Sequence, residues 1–336
     1  MRLGLPWNGA EVAAEAEAAG FRAFCTGDFA DHDAYLNLAD MARETVSAEV
    51  GTAIAYAFAR TPYAHATAAR QLHRVAPGRV FLGFGTGAYR INRDWFSVEA
   101  DRPVARMKEL VRAVRAYLEA ENGEVVRFEG EHYRLAADIR ATVLGRLEIP
   151  LLVAGFNAGM ARAAGQVADG VVGHGLFTRL WWEETVRPAM ADGREAADLS
   201  RHAPPREIGW VITAVDDDDP DRAVLDARRM IAFYLTVKTY DAYVERHGWG
   251  EPVRRIRAAF ADRDPGSMAA AVTDEMVEAI AVVGTARQAQ RMLDARGADG
   301  LPNDVAFLAP PSYLVSRRRQ MAYCRASLRL RSPAAS

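Results

Sequence analysis

The sequence is nearly empty of lysine and cysteine: Lys108 and Lys238 are the only lysines, Cys25 and Cys324 the only cysteines. Two cysteines in 336 residues exclude a disulfide framework and read as buried thiols. Charge of one sign is also missing. The formal net charge is −2, so no overall field draws the chain to nucleic acid or to an anionic membrane. No stretch reaches ~18 uncharged apolar residues, the length a membrane-spanning helix needs. The opening MRLGLPWNGAEVAAEAEAAG lacks a basic segment followed by an apolar run, so a cytoplasmic location is expected. No GxGxxG follows the first strand, and there is no Walker loop, HExxH, CxxC or Ser-His-Asp spacing. No metal site is expected.

What is present is a rhythm. Short apolar runs alternate with longer amphipathic stretches. Strands are expected at Arg2–Leu5, Phe21–Thr26, Val50–Tyr56, Val80–Gly85, Pro150–Ala154, Gly170–Val172, Ile208–Val215 and Asp304–Leu308. Helices are expected near Gly9–Ala19, Ala34–Thr45, Pro62–Arg74, Val104–Glu121, Ala158–Val167, Trp181–Ala191, Ala286–Arg296 and Ser316–Leu330. Met276–Val283 leads into the helix at Ala286. Glu124–Phe128 and His132–Leu135 read as a small hairpin. About eight β-then-α units favour a (β/α)8 TIM barrel over an open doubly wound sheet. One domain is expected over residues 1–331, with a helical insertion at about 220–272 and a frayed tail at 332–336.

In a barrel of this kind the active site lies on the loops that follow the strands. After the second strand comes Gly27-Asp28-Phe29-Ala30-Asp31-His32-Asp33, where Asp28 and His32 are candidates for acid–base work. A solvated turn, with Asp33 capping the next helix, is the plainer reading. Small residues in Gly51–Ala59 would let a flat ring approach the backbone, or would serve close packing. The fourth strand ends in Gly83-Phe84-Gly85-Thr86-Gly87, with Tyr89, Arg90, Asn92 and Trp95 beyond it. Alternating glycines there leave amides open to a ligand. Gly155-Phe156-Asn157-Ala158-Gly159 runs into a helix start suited to phosphate. In Gly173-His174-Gly175 the histidine is a candidate proton donor or phosphate partner, or a hydrogen-bonded loop residue. Asp216–Asp219 reads as an acidic helix start, with Asp219 as N-cap and Pro220 next. Arg317-Arg318-Arg319 reads as a solvated helix face. The aromatics of Trp181-Trp182 and Phe233–Tyr243 fit a core, a dimer surface or a substrate wall equally.

The phrases AEAAGFRAFCTGD, VGTAIAYAFARTPYAHATAARQL, GRVFLGFGTGAYR, IPLLVAGFNAGMARAAGQVADGVVGHG and VVGTARQAQRML resemble, in order, landmarks of the luciferase-like monooxygenase superfamily. They look closest to its coenzyme F420-dependent branch. The resemblance implies a deazaflavin at the barrel mouth, its ring leaning on a bulge with a non-prolyl cis peptide at Ala53–Ile54. It implies cofactor contacts from Asp28, Ala53, Ile54, Tyr56, Gly85, Thr86, Asn92, the 155–159 loop and the 173–175 loop. Two departures from the family's sugar-phosphate dehydrogenases stand out: Phe29 where they carry histidine, and Ala88 where they carry glutamate. Glucose 6-phosphate is therefore not the expected substrate, and His174 or His32 takes the proton-donor role. The expected activity is hydride transfer between F420 and a C=C, C=N or C=O group of a small organic substrate, by a homodimer. Two alternatives are an FMN-dependent monooxygenase and a non-catalytic binder of the cofactor. The alanine and arginine richness reads as high-GC coding, which favours F420.

Overall fold

A computed structural model describes residues 1–139, 145–297 and 299–333. The tail expected from residue 332 thus falls, over 334–336, outside the described residues. The chain begins β1 (Arg2–Pro6), α1 (Ala10–Ala18), β2 (Ala23–Thr26), α2 (Ala34–Glu44), β3 (Glu49–Tyr56), α3 (Pro62–Val75) and β4 (Val80–Gly85). A π-helical turn at Ile91–Trp95 and α4 (Pro103–Glu119) follow. The hairpin is β5 (Val125–Glu129) with β6 (Arg134–Asp138). Then come β7 (Leu151–Ala154), α5 (Ala158–Val167), β8 (Gly170–Gly173), α6 (Arg179–Trp181), α7 (Arg187–Ala196) and β9 (Arg206–Val215). Between β9 and the next strand the chain is helical: α8 (Pro220–Leu235), α9 (Asp241–Arg246), α10 (Gly250–Ala261), α11 (Pro265–Ala270) and α12 (Asp274–Ile280). It closes with β10 (Ala281–Gly284), α13 (Ala286–Arg296), β11 (Val305–Ala309) and α14 (Arg317–Ser327).

The architecture is a (β/α)8 TIM barrel. Contacts divide the chain into two compact units, residues 1–23, 173–185 and 208–336 in one, and 24–172 and 186–207 in the other. In the first, the strand order is β10-β9-β11-β1; in the second it is β2-β3-β4-β7-β8. β3 pairs with β4, β4 with β7 and β7 with β8 in parallel, and Leu82, Phe84, Leu151, Val153 and Val171 are fully buried along them. Burial on both faces explains why these strands read as continuous apolar runs.

Local chemistry sets the helix starts. Asp33 accepts from the Tyr35 and Leu36 amides, and Asp219 accepts from the Arg222 amide with Pro220 just inside the helix. The run Met276–Val283 divides in two. Thr273 caps α12 by accepting from the Met276 amide, and the backbone turns extended at Ala281. An apolar run carries no mark of that change, because both halves are buried.

In the second unit, α5 and α7 cross at van der Waals distance. A Cβ on Gly165 would lie 2.2 Å from the Met190 carbonyl oxygen, and one on Gly193 2.1 Å from that of Arg162. Both contacts are to backbone, which cannot rotate away. Gly165→Ala is expected to cost about 3 kcal/mol, at the upper end for overpacking, read as a lower urea midpoint. An unchanged midpoint would show that the helices separate freely.

His65 is fully buried in the same unit. Its Nε2–H donates to the Ala57 carbonyl (3.1 Å), so Nδ1 is left to accept from the Tyr35 hydroxyl (2.7 Å). Burial, the largest influence, pulls its pKa down to about 4 and keeps the ring neutral.

Candidate active site

The loop after β2 is organised around one carboxylate. Asp28 Oδ1 accepts from the Ala34 amide (2.8 Å) and from Arg60 Nη2 (2.9 Å). Its Oδ2 accepts from the Tyr56 amide (2.8 Å) and from Arg60 Nη1 (2.6 Å). The side chain is only 9% exposed. A carboxylate offers about four acceptor positions, and protein donors take them all. Asp28 therefore ties together the start of α2, the end of β3 and Arg60. That geometry leaves the carboxylate no acceptor position that a described residue does not fill. Arg60 also pairs with Asp33 and lies 5.1 Å above the Tyr35 ring. Burial works to raise the Asp33 pKa, but the Arg60 hydrogen bond and the two capped amides hold it below the usual carboxylate range. Arg60 was not marked by the sequence, since nothing in ARTP announces a partner 32 positions away.

At the end of β3 the Ala53–Ile54 peptide is cis, and the register with β4 shifts between Ala53 and Ala55. The Asp28 amide donates to the Ile54 carbonyl (3.0 Å). Across from it, a Cβ on Gly85 would stand 2.7 Å from Ile54 Cδ1. The absence of that Cβ gives the Ile54 side chain its place on β4. Beyond Gly85, Asn92 is buried in the π-helical turn, and its Nδ2 donates to the carbonyls of Thr86 (2.7 Å) and Ala88 (3.1 Å). Its Oδ1 is buried with no hydrogen-bond partner among the described residues. Gly87, inside this turn, has φ +67°, which a side chain would strain.

Beside Asp28 is a cavity of about 390 Å³ lined by Phe29, His32, Tyr56, Arg60, Trp95 and Phe96. Phe29 and Trp95 meet edge to face (6.1 Å) and are 59% and 53% exposed. Tyr56 packs on Phe96 (5.1 Å). His32 Nδ1 lies 2.6 Å from the Asp31 carboxylate at the cavity's edge. The structure thus brings Asp28, His32 and Tyr56 together with an aromatic wall of Phe29, Trp95 and Phe96.

After β7, Gly155 and Phe156 lead to Asn157, the residue before α5. Asn157 makes no capping bond, and its Oδ1 is buried without a partner among the described residues. The first helical amides, those of Ala158 and Gly159, have no acceptor within the helix. A Cβ on Gly159 would meet nothing within 4 Å. This is an uncapped helix start with open space beside it.

In the other unit, β8 ends at Gly173 and His174 follows. The Leu176 amide donates to His174 Nδ1 (3.2 Å), so the neutral ring carries its proton on Nε2, which lies 3.5 Å from the Tyr240 hydroxyl. Tyr234 packs edge-on to the ring (4.5 Å), and Gly175 sits under Ile212. Burial draws the His174 pKa down to about 4. Protonating Nδ1 would point an N–H at the Leu176 N–H. In this arrangement the neutral ring presents Nε2–H as a hydrogen-bond donor. Among the described residues no group of histidines, cysteines and carboxylates could hold a metal, and no helix is long and apolar enough to cross a membrane.

Comparison with known proteins places this geometry. A protein of Mycobacterium tuberculosis (strain ATCC 25618 / H37Rv), Rv1360, is 32% identical over 281 residues, covering 82% of each chain. The putative coenzyme F420-dependent oxidoreductase Rv3520c of the same strain is 27% identical, over 84% of this chain and 88% of that one. In fold, the chain is similar to the coenzyme F420-dependent tetrahydromethanopterin reductase from Methanopyrus kandleri, with a TM-score of 0.78 at 20% identity and 97% of both chains covered. Residues 7–301 match the luciferase-like monooxygenases, and the chain belongs to that family.

Proposed function

We propose that this protein is an F420-dependent oxidoreductase that transfers a hydride between the deazaflavin and a C=C, C=N or C=O group of an organic substrate. The observation that carries the proposal is the bulged end of β3, where the register with β4 shifts between Ala53 and Ala55 and Asp28 holds both the Tyr56 amide (2.8 Å) and the Ile54 carbonyl (3.0 Å). The relative named as F420-dependent supports the choice of cofactor.

The residues present fit such a group. The open helix start at Asn157–Gly159, whose first amides no side chain caps, suits a phosphate. When bound, the deazaflavin supplies the hydride-carrying carbon. Ala53 and Ile54 form the platform for a ring, flanked by Tyr56, Gly85 and Thr86. Asn92 fixes the Thr86 and Ala88 carbonyls and so the shape of that turn. His174 Nε2–H, flanked by Gly173 and Gly175, is assigned as a hydrogen-bond donor to the substrate. Asp28 and Arg60 hold the loops at fixed spacing, and Phe29 and Trp95 give the pocket an aromatic wall. With Phe29 and Ala88 where sugar-phosphate dehydrogenases carry their acid–base pair, glucose 6-phosphate does not fit as the substrate.

Parallel titrations with F420 and FMN, oxidised and reduced, followed by cofactor and tryptophan fluorescence, test the reading. Saturable F420 binding without FMN binding supports it. FMN binding alone, with oxygen consumed on turnover, would replace it by a monooxygenase; binding of neither would end the catalytic reading. His174→Ala is expected to keep cofactor affinity and lower turnover about tenfold, the worth of one hydrogen bond. His174→Gln, which carries an amide N–H near the Nε2 position, should recover most of that loss. Equal loss in both variants would assign proton donation to the imidazole.

A further inference from the structure

We propose that the cavity bordered by α8, α12 and α13 binds a small organic monocarboxylate with a flat or aliphatic body, its negative group pairing with Arg296. The cavity encloses about 840 Å³, within the ~300–1,000 Å³ range of small-molecule sites. Val224, Val277, Val283 and Met292 give it apolar sides. Its flat wall is the stacked pair His247 and Trp249, ring centroids 4.3 Å apart. The imidazole is locked in place: Nδ1–H donates to the Tyr243 carbonyl (2.7 Å), and Nε2 accepts from the Thr178 hydroxyl (2.7 Å). Such a wall is rigid and neutral.

Arg296 is the unmatched element. It lines the cavity, donates from Nη2 to the Ala281 carbonyl (2.9 Å), and leaves Nε buried with no hydrogen-bond partner among the described residues. No described carboxylate lies within ion-pair distance of it. Burial accordingly draws its pKa down to about 10. Of the other charges around the cavity, Arg179 pairs with Glu183 (2.9 Å), Arg246 with Glu184 and Asp274 with Arg228, and Glu275 accepts from Trp249 Nε1 (3.3 Å), while Arg291 is an exposed part of the lining. A part-buried guanidinium with a sealed, unpartnered Nε and no counter-charge carries a desolvation cost, and an incoming carboxylate relieves it. The exposed acids Asp221 and Glu278 at the rim disfavour a dianion such as a phosphate monoester, which selects a single negative charge.

The test uses 4-phenylbutyrate and its neutral amide as probes of the full-length protein. Binding is read by equilibrium dialysis and by tryptophan emission. The acid is expected to bind at one site at least about tenfold more tightly than the amide, the margin of a charge-assisted hydrogen bond. Arg296→Gln should bring the acid down to the amide's affinity. Trp249→Phe should remove the emission change while dialysis still reports binding. Ala295→Trp, a bulky residue at an exposed position of the lining, should abolish binding of both probes; it carries the test if Arg296→Gln does not fold. Equal affinity for acid and amide, no saturable binding, or acid binding unchanged in Arg296→Gln or Ala295→Trp would each overturn the proposal.

Discussion

Asp28→Ala is expected to lower F420 affinity by roughly a hundredfold, about 3 kcal/mol, and to lower folding stability by about 3–5 kcal/mol, the cost of breaking a buried ion pair. Both effects come from the same four hydrogen bonds. Without the carboxylate, the Ala34 and Tyr56 amides lose their acceptor, and Arg60, 20% exposed, keeps only Asp33. The Tyr56 amide lies two residues past the cis peptide, so the platform proposed for the ring loses its tether. The two effects can be separated. Asp28→Ala combined with Arg60→Met removes the uncompensated guanidinium and should recover part of the stability, but not the affinity. Urea unfolding and F420 fluorescence titration, run on all three proteins, check this. Wild-type affinity in Asp28→Ala would remove the residue from the site.

The second large effect is on acid stability. The folded pKa of His65 is drawn down to about 4, against about 6.5 in an unfolded chain. Between these values the unfolded chain takes up a proton that the folded one refuses. The stabilisation is therefore fully present above about pH 6.5 and is lost as the pH falls toward 4, at up to about 1.4 kcal/mol per pH unit. From pH 7 to pH 5 that amounts to about 2 kcal/mol for this one group. Urea unfolding at the two pH values, for wild type and His65→Asn, isolates it, because every other titrating group is common to both. Parallel pH dependence in the two proteins would mean that the imidazole is reached by solvent and protonated in place.

These two residues also show where the sequence stops being readable. The barrel rhythm, the hairpin, and the caps at Asp33 and Asp219 follow from local chemistry, and they lie where their neighbours in sequence put them. The cis peptide at Ala53–Ile54 was reached only through family resemblance; VGTAIAY alone describes any buried strand. Asp28 could be picked out as a polar group after a strand. Its engagement depends on Arg60 and on two amides from other elements, and so is invisible in GDFADHD. His65 sits in an unremarkable helix, PYAHATAARQL, and owes its neutrality to Tyr35 and Ala57. His174 was legible as a position and not as a protonation state, because the Leu176 amide that fixes its tautomer depends on the path of the loop. Arg296 ends a helix whose pattern looks solvated. In each case composition and period place the residue, and tertiary contacts decide what it does.

The two cysteines have a use of their own. Cys25 lies in β2, fully buried, and burial raises its thiol far above the ordinary value. Cys324 lies in α14 beside the Asn8 amide (3.1 Å), its thiol pushed up to about 12. Neither offers thiolate to a reagent while the fold is closed. One belongs to each compact unit. The protein therefore carries a pair of native clocks: the rate at which a thiol reagent traps each cysteine times the opening of its own half, and mass spectrometry of the two peptides tells whether the halves breathe together or apart.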